Sequence, residues 1–80
     1  MKQLFYFSAD WCVPCQSFSP VMDRIKSTIP VEKINIEYET DRTKAAKVTS
    51  IPTVVLTENG EEIRRFYGPR SYEQVLEFIK

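Results

Sequence analysis

Eighty residues are enough for one domain, here 1–80, and not for two. Hydrophobic residues at 42% and aromatics at 12% can build one core, although a chain this short buries only about 60% of its unfolded surface. Eleven basic side chains cancel eleven acidic ones and there is no histidine, which argues against nucleic acid or an anionic membrane as the main partner.

Taken in chain order, Lys2 to Phe7 is an aromatic-rich run that reads as a buried strand ending at Ser8-Ala9-Asp10. Phe18, Val21, Met22, Ile25 and Ile29 then recur at the spacing of one helical face, predicting a helix from about Cys12 to Ser27. Pro20 lies inside that helix and is expected to kink it, and Pro30 stops it. Glu32 to Tyr38 alternates, with Ile34, Ile36 and Tyr38 on one face, as a second strand does. Asp41 is a candidate N-cap for a short helix through Val48. Thr53 to Thr57 is β-branched and apolar and predicts a central strand. Asn59-Gly60 supplies a two-residue hairpin turn, after which Glu62 to Tyr67 returns as the fourth strand. Ser71 and Gln74 have the spacing of a capping box, and Tyr72, Val75, Leu76 and Ile79 form the apolar face of a final helix. The order βαβαββα demands a parallel pair from its right-handed start and an antiparallel pair from its hairpin. The expected fold class is therefore α/β, a four-stranded mixed sheet with three flanking helices.

Only two cysteines exist, Cys12 and Cys15. No apolar run approaches membrane-spanning length, and Met1 to Phe7 is too short for a signal peptide, so the expected compartment is the cytoplasm. A structural staple is disfavoured there, and closing so short a loop would remove little chain entropy. Structural zinc wants four Cys or His ligands, which would need a second chain. Redox chemistry is the remaining reading. Cys12 falls where the first strand gives way to the first helix, and unpaired N–H groups with the positive helix end stabilise a thiolate there. Cys15 lies one turn on, facing the same way and more enclosed. Cys12 is thus the candidate nucleophile and Cys15 the resolving thiol, the pair cycling between dithiol and disulfide. Pro14 is tolerated in the first turn, whose N–H groups are unpaired in any case, and Trp11 offers a flat apolar surface beside the nucleophile.

The segment from Phe7 through Trp11, Cys12, Val13 and Pro14 to Cys15 resembles the active-site block of the thioredoxin family, commonly F-W-A-x-W-C-G-P-C. Pro20 matches that family's helix-kinking proline, Lys33 to Glu37 looks like its K-x-N-x-D block, and Val48 to Thr53 like its V-x-S-x-P-T block. Asn59-Gly60 and Gly68 fall at the family's hairpin turn and its later substrate-facing glycine. The resemblance implies a minimal thioredoxin fold, starting at what is usually the second strand. It also implies a cis Ile51-Pro52 bond facing the cysteines. With it comes a substrate surface of Trp11, Val13, Pro14, Ile51, Pro52 and Gly68.

By that resemblance the chain would be a monomeric protein-disulfide reductase with no cofactor and no metal. A thioredoxin-reductase-like donor would charge it, and disulfide-bearing clients, commonly ribonucleotide reductase in the family, would discharge it. A glutaredoxin-type protein using glutathione is an alternative. Trp11 and the Val13-Pro14 dipeptide weigh against it, as does the absence of a Gly-Gly pair and an Asp around Gly68 to Ser71. A non-enzymatic binding subunit of the same fold is a third reading. One departure bears on mechanism. The family's buried carboxylate, six residues before the first cysteine, is replaced by Tyr6, a poor base near neutrality with an ordinary pKa of about 10. Lys33, which pairs with that carboxylate in the family, is left without its usual partner.

Overall fold

Four strands and three helices alternate along residues 1–80, all of which the computed structural model describes. They are β1 (Lys2–Ser8), α1 (Val13–Ile25), β2 (Val31–Asn35), α2 (Thr40–Ala45), β3 (Thr53–Glu58), β4 (Glu61–Tyr67) and α3 (Tyr72–Phe78). The sheet runs in the order β2-β1-β3-β4. β1 pairs with β2 in parallel, Tyr6 opposite Lys33, and antiparallel with β3, Tyr6 opposite Val54. β3 and β4 form the antiparallel hairpin. Its turn residues Asn59 (φ 53°) and Gly60 (φ 87°) both take positive φ, which is what an Asn-Gly two-residue hairpin loop requires. The expected βαβαββα order and mixed sheet are both present.

Side-chain alternation divides the core between the two faces of the sheet. Leu4 and Tyr6 of β1, Val54 and Leu56 of β3 and Phe66 of β4 point to one face. There they meet Phe18, Met22 and Ile25 of α1, and Val75 and Phe78 of α3. A chain of edge-to-face aromatic contacts crosses this core, from Tyr6 to Phe18 (5.6 Å between centroids), Phe66 (6.0 Å) and Phe78 (4.7 Å). The capping box of Ser71 and Gln74 is formed and starts α3. On the opposite face Phe7, Ile34 and Val55 are buried beneath Phe5, Ile36, Ala46, Val48 and Ile51. The six residues of α2 include none that is buried. The cover is thin here, and an open groove of about 310 Å³ remains along Phe5, Phe7, Ile34, Val55 and Arg42.

The boundaries of three elements differ most from the sequence expectation. β2 stops at Asn35 instead of Tyr38 because the Asn35 side chain accepts from the Glu37 N–H (2.9 Å) while its carbonyl accepts from Tyr38 and Glu39. The backbone turns there, and Tyr38 is left 78% exposed instead of facing inward. α2 begins one residue before Asp41, with Glu39 as its N-cap and no side-chain cap bond, and ends at Ala45 short of Val48. Lys47 adopts positive φ (56°) immediately afterwards, the left-handed conformation that closes a helix. α1 ends at Ile25, two residues before Ser27, and the chain leaves through turn bonds from Thr28 and Ile29 back to Ile25. Helix α1 continues through Pro20. In α3 the deeply placed residues are Val75 and Phe78; Tyr72, Leu76 and Ile79 pack at the margin.

Candidate active site

The first strand delivers Ala9 and Cys12 to the end of the sheet where α1 begins. Cys12 is the N-cap of α1, in extended backbone conformation, and its sulfur accepts a hydrogen bond from the Cys15 N–H at 3.2 Å. A sulfur in that position satisfies one of the donors that a helix start leaves unpaired. Val13 and Pro14 fill the first two helical positions, where the missing N–H of proline costs nothing. The two cysteines are joined as a disulfide, their Cα atoms 5.2 Å apart. Both sulfur-bearing residues are buried, Cys12 at 5% exposure and Cys15 at 2%. Ala9 completes the cluster, and Ile36 and Ile51 pack against it from the loops after β2 and before β3.

Around this cluster the candidate substrate residues divide into three sets. Trp11 (62% exposed), Val13 (71%) and Pro14 form an outward-facing apolar rim. Ile51 is half-buried, and its bond to Pro52 is cis. Pro52 is itself buried, so its ring contributes no exposed surface. Its carbonyl accepts from the Gly68 N–H at 2.9 Å, which ties the loop before β3 to the residue after β4. Gly68 has φ 84° and open space where a Cβ would stand, so backbone conformation and not crowding favours glycine there.

The inner side of the disulfide has a different chemistry. The Tyr6 hydroxyl donates to the Cys15 carbonyl at 3.0 Å, and the Ser19 hydroxyl donates to the same carbonyl at 2.9 Å. The two hydroxyl oxygens are 3.2 Å apart. Burial pushes the Tyr6 phenol above its ordinary pKa, with the Ser19 hydrogen bond opposing in part. Lys33 is not left solitary. Its ammonium pairs with Asp23 of α1 at 2.7 Å, and that hydrogen bond holds the Asp23 carboxyl below the usual range. None of the eleven acidic side chains is buried.

Sequence reasoning missed Ile36 and Ser19. The alternating pattern puts Ile36 on a strand face, whereas the chain turns after Asn35 and Ile36 packs against the cysteines. Ser19 carried a signal that could have found it, since it lies four residues after Cys15 and so on the same helical stripe.

The sequence matches the thioredoxin family over residues 1–80. It is 33% identical over 81 residues to a thioredoxin of Mycoplasma pneumoniae, covering 98% of this chain and 79% of that one. To a thioredoxin of Chlamydia pneumoniae it is 32% identical over 76 residues, covering 91% and 74% of the two chains. Among solved structures, a mutant thioredoxin from Halobacterium salinarum superposes with a TM-score of 0.93 at 30% identity, covering 98% of this chain and 71% of that one. A helix N-cap cysteine bonded to the cysteine one turn on, beside a cis-proline loop, sits in the fold these relatives share. The chain belongs to the thioredoxin family and is a thiol–disulfide oxidoreductase.

Proposed function

We propose that residues 1–80 work as one cytoplasmic unit that reduces protein disulfides through the Cys12/Cys15 pair, and that a thioredoxin-reductase-like donor restores the dithiol. The observation that carries this reading is the N-cap position of Cys12, whose sulfur already receives the Cys15 N–H at 3.2 Å. On reduction the same donor and the helix dipole stabilise the Cys12 thiolate, which is the attacking species. The chain has no histidine, so backbone donors and the dipole carry that stabilisation without an imidazolium.

The steps balance as follows. The Cys12 thiolate attacks one sulfur of the client disulfide; a Cys12–client bond forms, the client S–S bond breaks, and the departing client thiolate takes a proton. Cys15 then loses its proton and attacks Cys12. The Cys12–Cys15 bond forms, the mixed disulfide breaks, and the second client thiolate leaves and is protonated. The protein has given two electrons and two protons to the client. Two further donor thiols reverse the oxidation.

Trp11, Val13 and Pro14 supply the apolar rim on which an extended client segment lies, and Ile51, in the loop that the Pro52 carbonyl ties to Gly68, forms the wall beside it. Backbone groups of the loop around Ile51 suit pairing with such a segment in the manner of an added strand. A reducing compartment keeps the donor thiols available, which is why the cytoplasm is the compartment proposed.

Insulin-disulfide reduction tests the reading when run in parallel with thioredoxin reductase and NADPH, and with glutathione, glutathione reductase and NADPH. Turnover is expected with the first donor system. Turnover with glutathione alone would replace the donor assignment by the glutaredoxin type. Absence of turnover with both would remove the reductase reading.

A further inference from the structure

The polar groups behind Cys15 form a stripe that the two-cysteine scheme leaves unused. Cys15, Ser19 and Asp23 follow one another at four-residue spacing along α1, opposite Tyr6 of β1 and Lys33 of β2, which are paired neighbours in the sheet. At the cysteine end of this stripe two hydroxyls converge on one carbonyl. Tyr6 donates to the Cys15 C=O at 3.0 Å, and Ser19 donates to it at 2.9 Å. On its other side Cys15 donates its N–H to the Cys12 sulfur. The backbone of the resolving cysteine is therefore tied both ahead of and behind its side chain. The phenol has no freedom to turn away, since Tyr6 is fully buried and its ring stands edge-to-face against Phe18.

Resting on the dithiol reading above, we propose that Tyr6 and Ser19 are positioning residues for the second step, a hydroxyl clamp that holds Cys15 within reach of Cys12 while a client occupies the mixed disulfide. Once the client sulfur replaces Cys15 on Cys12, the covalent tie between the cysteines is gone. What keeps Cys15 in register is then its backbone, fixed by the clamp. Displacement at sulfur needs the attacking thiolate in line with the breaking bond, and small misplacements are costly in rate. The clamp does not take the proton. Tyr6 and Ser19 both act as donors to the carbonyl, burial keeps the phenol protonated near neutrality, and no carboxylate is buried beside them. The Cys15 proton leaves to solvent or to the departing thiolate.

The two steps separate optically when the reduced protein meets 5,5′-dithiobis(2-nitrobenzoate). Cys12 releases one nitrothiobenzoate on attack, and Cys15 releases the second on resolution. Tyr6→Phe keeps the ring and removes only the hydroxyl. The first phase is expected to stay within about twofold of the parent, while the second slows about fivefold, the effect of one lost hydrogen bond on a barrier. From about pH 6 to about 9 the second-phase curve keeps its inflection and drops by a constant factor, as loss of positioning requires. Ser19→Ala should slow the second phase in the same way. Ser19→Thr, whose hydroxyl can still bond the carbonyl four residues back, should restore it. A second phase equal to the parent's in Tyr6→Phe, or equal slowing of both phases, overturns the clamp. A shifted inflection also overturns it, because Tyr6 would then be part of the proton path. If the parent itself shows no second phase, the dithiol reading fails and the clamp with it.

Discussion

The two sides of the Cys12–Cys15 bridge are built from different material. Outward, Cys12 adjoins exposed apolar groups that touch little of the protein, namely Trp11, Val13 and Pro14. Inward, Cys15 adjoins the larger core, with Phe18 three residues on and Tyr6 and Ser19 bonded to its carbonyl. One side can meet a client without disturbing the core. The other can hold a thiol in place because its backbone is bonded to a buried tyrosine and to the next turn of the helix. Asymmetry between two cysteines one helical turn apart, both buried, thus comes from the helix start, which sets Cys12 beside the exposed rim and Cys15 against the hydroxyls of Tyr6 and Ser19.

The strongest way to break that contrast is to remove each sulfur in turn. Cys12→Ser should abolish disulfide reduction, whereas Cys15→Ser should accumulate a mixed disulfide with the client, read as a mass increase on the intact protein. Trapping by Cys12→Ser in place of Cys15→Ser would reverse the roles.

Side chains next to the bridge should divide between stability and turnover. Phe18→Ala opens the large core and is expected to cost about 3–5 kcal/mol, a large share of what a domain this small possesses. Trp11→Ala should change unfolding free energy by less than about 0.5 kcal/mol while slowing client reduction. Denaturant unfolding and the insulin assay, run on both variants, check the pair. A Trp11→Ala protein as unstable as Phe18→Ala would mean that the rim is core.

How much of this was legible in the sequence depended on the range of the interactions involved. Local chemistry was readable. The Asn59-Gly60 turn, the Ser71/Gln74 capping box and the Cys12 helix start each depend on residues a few positions apart, and each is present. The alternation of Glu32 to Tyr38 misled because Asn35 bonds its own neighbours and turns the chain, a local competition that hydrophobic spacing does not register. Lys33 and Asp23 are ten residues apart, and Tyr6 and Ser19 thirteen. Such pairs require the packing of α1 on β1 and β2, which spacing alone does not specify. Phe78 was missed for a similar reason. Its place is fixed by Phe66, from another element.

Ionic strength should have a smaller effect than these substitutions. The rim around Cys12 is apolar and the chain has no net charge, so client reduction should change by less than about twofold between low salt and near-molar salt. A steep decline would place the contact on the charged surfaces instead.

The smallest effect expected is on stability against pH. Asp23, Glu32 and Glu62 are held below the usual carboxylate range by Lys33, Arg42 and Arg65 respectively. Their contribution is present above the unfolded value of about 4 and is lost as pH falls through the lower folded values. The carboxylates lie at the surface, and each pair contributes about 0–1 kcal/mol. Tyr6 acts at the other end. Its raised folded pKa gives stability that is full below about 10 and declines as pH rises through the folded value. Thermal unfolding should be nearly flat between these limits, and Tyr6→Phe should remove the part of the alkaline decline due to this phenol.

Alkylation of the reduced protein with iodoacetamide, followed by mass mapping over a range of pH, addresses the contrast between the two sulfurs most directly. Cys12 should react well before Cys15, with an apparent pKa below the free-thiol value of about 8.5. Equal rates at the two thiols, or faster reaction of Cys15, would contradict the account.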